Sequence, residues 1–266
     1  MNINADTSFL QSEISSGIWS AGYRRFSLNE TVKQLGIERA LDSLIDAYRQ
    51  MPLDPYDKAG TRYRRYGRGI YTPWTKTISW IQEIADADGR PKAPYYQASH
   101  NPEHVGQYRY FHAIPDEVLR NPVLQLCAWS AVTQTEWFNE DARYPISVGI
   151  HMVAQIVSTE RPRADVSPAV MHQDGEAFDF VILVARENIE GGESFIGKVE
   201  DSGKRPEELG PEATERFTLS EPLAGFGVKD EAVSHGVSPV LLAPGNQTGF
   251  RYTLLVDTTP MREALR

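Results

Sequence analysis

The sequence predicts an α+β fold, with a helical layer packed against an antiparallel sheet or barrel. Three observations lead there. Apolar residues recur at helical spacing in the first half of the chain. From about Pro145 the texture changes to short alternating or apolar runs separated by turn residues. Helices first and strands after is the order in which a helical layer covers a sheet.

The first helix is expected between Ser27 and Pro52. Ile37, Ala40, Leu41, Leu44, Ile45 and Tyr48 fall on one helix face. Ser27 with Glu30 three residues on has the form of a capping box, and Pro52 would stop the run. Next comes Arg62-Tyr63-Arg64-Arg65-Tyr66-Gly67-Arg68. A second helix begins with Asn121 as cap and Pro122 in the first turn, and Val123, Leu126, Cys127, Ser130, Ala131, Trp137 and Phe138 form its stripe.

In the second half, Val148 to Ile156 alternates. Val148, Ile150, Met152 and Ile156 lie on one face of a strand, His151 and Gln155 on the other. Phe178 to Val184 reads as a strand buried on both sides, Glu190-Gly191-Gly192-Glu193 as a turn, and Gly249 to Asp257 as a last strand. Asp201 to Glu215 is charged and rich in Gly, Pro and Glu, and reads as an exposed loop. No internal repeat divides the chain, so one domain over 1–266 is expected.

Composition narrows the function. The 266 residues carry a net charge of −9, which disfavours tracking of a phosphate backbone and a membrane surface alike. One cysteine, Cys127, excludes an intrachain disulfide and a thiolate metal cluster. Met1 to Ser20 lacks the basic and apolar regions of a signal peptide, and no apolar run approaches the ~18 residues that span a bilayer. A cytoplasmic protein without nucleic-acid or membrane partners is the expectation.

His172-Gln173-Asp174 carries the chemistry. In an extended segment, residues i and i+2 point to one side, so an imidazole and a carboxylate converge. Alone the triplet equally suits a surface His beside a solvated Asp. His235 supplies a third ligand, and two His with one carboxylate leave half of an octahedral metal open, as non-haem Fe(II) oxygenases require. Downstream, Arg251 and Thr253 share a face of the last strand. A guanidinium forks onto a carboxylate and a hydroxyl adds to it, whereas an Arg buried unpaired in such an apolar strand is costly. A snorkelling Arg or a structural ion pair would leave the same trace. Together the four features (His-x-Asp, Gly-Gly turn, distant His, Arg-x-Thr) are far more specific than any one.

Met171-His172-Gln173-Asp174-Gly175-Glu176, Val181 to Ser194, Asp230 to Pro239 and Gly249-Phe250-Arg251 resemble the bacterial 2-oxoglutarate/Fe(II) dioxygenases that include the free-isoleucine 4-hydroxylases; the Arg/Tyr block at 62–68 also resembles that family's N-terminal half. The resemblance implies a double-stranded β-helix (jelly-roll) core over 145–258 carrying the metal site, with a mainly helical N-terminal part over 1–142. It implies Fe(II) on His172, Asp174 and His235, and 2-oxoglutarate anchored by Arg251 with Thr253 in support. It further implies O2 as oxidant, a stimulatory effect of ascorbate, and hydroxylation of an aliphatic C–H of a free amino acid or similar small molecule, with release of succinate and CO2. Related halogenases have a small residue where Asp174 stands, so the carboxylate points to hydroxylation or to a related oxidation such as desaturation.

Substrate candidates follow from position. Arg64 and Arg65 could capture an anion at the site mouth, although the Arg/Tyr block also reads as a solvated, tyrosine-packed segment and, against the acidic balance, as a nucleic-acid patch. His151 and Gln155 would touch cosubstrate or substrate if their face looks inward; His151 otherwise reads as a satisfied core histidine. Glu176 could bind an ammonium or simply be solvated. His100 and His104 have zinc-pair spacing, but Asn101-Pro102 breaks the helix they would need. His112 and Cys127 read as packing. Two other functions compete: a cupin-like metalloenzyme without 2-oxoglutarate, which would not need Arg251 and Thr253, and a silent jelly-roll binding module, which would not need an intact triad.

Overall fold

The computed structural model describes residues 21–96, 106–135, 141–210 and 215–262. Strand β1 (Tyr23–Ser27) precedes helices α1 (Asn29–Leu35) and α2 (Glu38–Arg49). Then come β2 (Arg62–Thr72), β3 (Thr77–Trp80), the pair β4 (Lys92–Tyr96) and β5 (Tyr108–His112), and helices α3 (Asp116–Leu119) and α4 (Pro122–Gln134). The remaining strands are β6 (Ile146–Ser158), β7 (Arg163–Ala164), β8 (Phe178–Glu187), β9 (Ile189–Gly191) and β10 (Glu193–Gly197). Last come β11 (Glu215–Thr218), β12 (Ala224–Lys229), β13 (Ser234–Val237), β14 (Val240–Leu242) and β15 (Thr248–Pro260).

Seven strands form the major sheet in the order β1-β12-β8-β15-β6-β2-β3, antiparallel throughout. Three-stranded sheets β11-β10-β13 and β7-β14-β9 complete a jelly-roll core. The period of two along each long strand assigns two different jobs to its two faces. Val148, Ile150, Met152 and Ala154 of β6, with Tyr252, Leu254 and Val256 of β15, are buried in one apolar cluster with residues of α1, α2 and α4. The opposite face carries Arg62 and Arg64 of β2, His151 and Gln155 of β6, and Arg251, Thr253 and Asp257 of β15 around a cavity. The apolar side faces the helices and the polar side faces the cavity, which is why β6 reads as an alternating strand.

The helices lock the sheet in place. The Tyr48 hydroxyl of α2 donates to the Thr253 carbonyl at 2.6 Å, and its ring stacks on Tyr252 with centroids 5.0 Å apart. Asn121 caps α4 as expected, its side chain accepting from the Val123 and Leu124 amides. Val123, Leu126, Cys127, Ser130 and Ala131 of the expected stripe are buried, but so are Leu124, Ala128 and Val132. α4 is therefore an interior helix rather than an amphipathic one. Trp137 and Phe138 lie outside the described residues.

Several expectations need correction. The single helix from 27 to 52 is two helices, because Gly36 takes a left-handed φ of 64° and closes α1 as its C-cap. Ser27 ends β1, its hydroxyl accepting from the Asn29 amide, and Glu30 pairs with Lys33 instead of closing a capping box. Among the described residues the N-terminal part is not mainly helical, since it also contributes β1, β2 and β3 to the major sheet. The Arg/Tyr block is not a solvated segment but most of β2, paired along β6. The 201–215 loop is not wholly exposed, since Asp201, Pro206 and Leu209 are buried and Leu209 packs with Met171 and Phe195. The Gly191-Gly192 turn forms, with both residues at positive φ. His100 and His104 lie outside the described residues. Among the described residues, no helix is long and apolar enough to cross a membrane.

Candidate metal and cosubstrate site

His172 and Asp174 do not sit on a regular strand. His172 forms an isolated antiparallel bridge with His235 of β13, each amide donating to the other's carbonyl at 2.9 Å. The bridge sets the imidazoles side by side, ring centroids 4.5 Å apart. Beyond it the chain turns at Gly175, φ 94°, bringing the Asp174 carboxylate back toward both rings. His172 Nε2 lies 3.6 Å from Asp174 Oδ1, and His235 Nε2 lies 3.4 Å from Asp174 Oδ2. All three ligand atoms fall within 4.8 Å of one another.

Supporting contacts orient each ligand. His172 Nδ1 lies 2.8 Å from the Val170 carbonyl, so it holds the ring proton and Nε2 presents its lone pair to the site. Asp230 accepts from the Asp174 amide at 2.9 Å and the Gly175 amide at 2.8 Å, pinning the turn. Asp179, Asp230 and His235 also place ligand atoms within 4.8 Å. Asp230 is spent on the two amides, however, which leaves the His172, Asp174, His235 set the better metal cradle.

Electrostatics favour a cation here. Burial, together with Asp174, Glu176, Asp230 and Asp257, pushes the Asp179 carboxyl well above the usual range. Burial pushes Asp230 up too, against the pull of His235 and the two amides. For His235 burial acts downward, but Asp174 and Asp230 outweigh it and the value is raised. Buried carboxylates crowded around imidazoles ask for positive charge.

Farther along the cavity Arg251 is buried, 3% exposed. Its Nε and Nη2 make no hydrogen bond, and Nη1 reaches Gln155 Oε1 only at 3.5 Å. Burial, then the neighbouring Arg186, lowers it to about 10. The Thr253 hydroxyl, two residues on, donates weakly to the Val153 carbonyl at 3.5 Å. Gly192 makes room for the guanidinium stem: a Cβ there would lie 3.1 Å from Arg251 Cδ. A buried guanidinium with two unpartnered N–H groups is what a bound carboxylate satisfies.

The remaining wall contains residues that sequence reasoning missed. Tyr95, Arg109, Asp179 and Asp257 line the cavity beside Arg62, Arg64, His151 and Gln155. Arg62 is paired with buried Asp54 at 2.7 Å. Arg64 donates to His151 Nδ1 at 2.7 Å and lies over the Phe111 ring at 4.2 Å; burial and Arg109 lower it to about 10. Burial and then Arg64 hold His151 down at about 4, so its ring is neutral. Asp179 and Asp257 were legible in principle, because Asp179 interrupts the apolar start of β8 and Asp257 directly follows Leu254-Leu255-Val256, the same kind of signal that singled out Arg251. Arg109 and Tyr95 belong to a hairpin whose sequence carries no such mark.

Two substrate candidates do not line the cavity directly. Arg65 faces the other side of β2, donates to the Ala113 carbonyl at 2.8 Å and lines a separate cleft with His112. One residue of register decides this, since neighbours on a strand point to opposite faces. Glu176 is not among the cavity-lining side chains; its Oε1 accepts from the Tyr95 hydroxyl at 3.4 Å. Cys127 is buried packing, as expected.

The family model described as 2OG-Fe dioxygenase matches residues 46–257, and the chain belongs to that family. It is an oxidoreductase of a family that uses Fe(II), 2-oxoglutarate and O2. Among solved structures, a bsmA homolog from Methylobium petroleophilum PM1 superposes with a TM-score of 0.72 at 20% identity, over 94% of this chain and 93% of that one. IDO from Bacillus thuringiensis gives a TM-score of 0.72 at 20% identity, over 98% and 100%. The Fe(II)/α-ketoglutarate-dependent dioxygenase TqaL gives 0.69 at 16%, over 94% and 88%. These likenesses establish the shared fold. No curated protein matches by sequence.

The residues present fit the groups this family uses. His235 Nε2 is a buried nitrogen without a hydrogen bond beside two carboxylates, and Arg251 is a buried cation without a full partner. A metal satisfies the first and a dicarboxylate the second.

Proposed function

We propose that this enzyme hydroxylates an aliphatic C–H of a free amino acid or a close small relative, with His172, Asp174 and His235 holding Fe(II). Arg251 takes the distal carboxylate of 2-oxoglutarate, with Thr253 and Gln155 beside it. The bound iron and cosubstrate supply activation of O2, coupled to loss of CO2 and formation of succinate. The protein orients and encloses. Asp230 keeps the Asp174 turn in register with the His172–His235 bridge, so the three donors converge from one side and leave the cavity side open. Gln155, opposite Arg251 across the β6–β15 ladder, holds one face of the guanidinium while its free N–H groups await the cosubstrate.

The observation that carries this reading is the pairing of a three-ligand cradle with an unpartnered buried Arg251 in one cavity. The resemblance of the motifs to free amino acid hydroxylases supports the substrate class, as does a wall bearing both signs of charge, Arg64 and Arg109 against Asp179 and Asp257. An amino acid zwitterion needs both. A panel of common amino acids with Fe(II), ascorbate and 2-oxoglutarate tests it. At least one should raise succinate formation above the no-substrate background and gain the mass of one oxygen atom. Background turnover on every amino acid, together with fast turnover on a peptide or carrier-bound substrate, would refute the free amino acid while leaving the oxygenase intact.

A further inference from the structure

Asp257 of β15 and Asp179 of β8 are direct register partners in the major sheet, so their side chains share one face. Two carboxyl groups in directly opposite positions oppose pairing once both are ionised, and here both side chains line the cavity. Asp179 Oδ2 is buried and makes no hydrogen bond, and Asp257 Oδ2 is buried with only His151 Nε2 beside it, at 3.2 Å. Among the described residues no lysine or arginine forms an ion pair with either acid. The space for Asp257 is built into the neighbouring strand: a Cβ on Gly149 would fall 2.2 Å from Asp257 Oδ2.

His151 does not neutralise this pair. Arg64 Nη2 donates to its Nδ1 at 2.7 Å, which fixes the ring proton on Nε2, 3.2 Å from Asp257 Oδ2. One neutral imidazole therefore bridges a guanidinium and a carboxylate. Both signs of charge lie on one wall, with the His151 ring and its contacts of 2.7 and 3.2 Å between them. Arg64 Nε, too, is buried without a hydrogen bond.

We propose that Asp257 and Asp179 form the pocket for the ammonium group of the substrate, and that Arg64 receives its carboxylate. This rests on the free amino acid reading above and adds to it the residues that select a zwitterion. The two acids destabilise the empty enzyme and are relieved when a cation enters, a trade of stability for recognition.

The test compares the wild type with Asp257→Asn, using L-isoleucine, L-leucine and L-methionine as probes, each beside the carboxylic acid that lacks its amino group. Binding is measured anaerobically by calorimetry with Mn(II) and 2-oxoglutarate present, and the melting temperature is measured without ligands. In the wild type a probe amino acid should bind in preference to its des-amino partner. In Asp257→Asn that preference should fall at least about tenfold, the scale of one lost charge-assisted contact, while the melting temperature holds or rises. A preference unchanged in the variant overturns the proposal and leaves the free amino acid reading standing. If no amino acid binds or turns over in the wild type, that reading fails and the proposal with it. Should Asp257→Asn fail to fold, Asp179→Asn makes the same comparison; failure of both to fold would make the acids structural and refute the ammonium pocket.

Discussion

Arg251 gives up water for a position in which Nε and Nη2 find no partner, and such a position is kept only for a ligand. Arg251→Ala should therefore raise the apparent KM for 2-oxoglutarate at least about tenfold, since a charge-assisted pair contributes roughly 1.5–3 kcal/mol. An unchanged cosubstrate KM in steady-state assays would move the anchor elsewhere. His151 offers a second test at this scale. It is faced by Arg64 and Tyr66 of β2, Asp257 of β15, Tyr95 of β4 and Arg109 of β5. Folding holds it at about 4, below its ordinary 6.5, so the fold favours the neutral ring. Its contribution is complete above pH 6.5 and is lost as pH falls toward 4, a difference on the order of 3 kcal/mol. Unfolding by urea across that window should show a steeper loss of stability in the wild type than in His151→Gln; parallel curves would mean the ring is not buried neutral. Among single residues, those with a motif around them were legible: His172, Asp174, His235 and Arg251 stand at spacings that chemistry dictates. Asp230 was not, because its function is to accept two backbone amides, which any loop acid does.

At the scale of elements, the periodicity of the long strands was legible because each strand has one side against helices and one toward the cavity. The helix break at Gly36 was not, since the apolar stripe runs on through Ile37 into the next helix, both packed in the same cluster. The misassignment of β2 has a different cause. An Arg in a strand normally signals a solvated face, but here Arg62 and Arg64 turn inward to the cavity while Arg65 turns out. Local devices make their own predictions. Asn121 accepts from two α4 amides and donates to the Ala40 carbonyl at 2.8 Å, tying α4 to α2. Asn121→Ala should cost about 1 kcal/mol, a fall of roughly 2–4 °C in melting temperature for a chain of this size. Gly192→Ala would place a side chain at φ 65° and 3.1 Å from Arg251 Cδ. The expected outcome is a raised KM for 2-oxoglutarate with the metal still bound; a wild-type KM would show that Arg251 has room to spare.

Across the whole molecule, one sheet separates two functions. Its outer face is the apolar core with α1, α2 and α4, and its inner face is the wall of the cavity, closed on the far side by the His172–His235 bridge. Sequence order anticipated a helical layer on an antiparallel sheet or barrel, and the family resemblance the jelly-roll core, but neither anticipated that the first half of the chain supplies sheet strands or the Tyr95 and Arg109 side of the cavity. Such contacts are long-range, and nothing in local pattern encodes which hairpin will lie over which strand. The most direct test is a crystal structure grown without oxygen from enzyme loaded with Fe(II) and 2-oxoglutarate. One iron should lie roughly 2.0–2.2 Å from His172 Nε2, an Asp174 oxygen and His235 Nε2, the range for such ligands, with the distal carboxylate of 2-oxoglutarate on Arg251. Iron more than about 5 Å from any of the three, far outside bonding range, or a cosubstrate carboxylate held by other residues, would contradict the account.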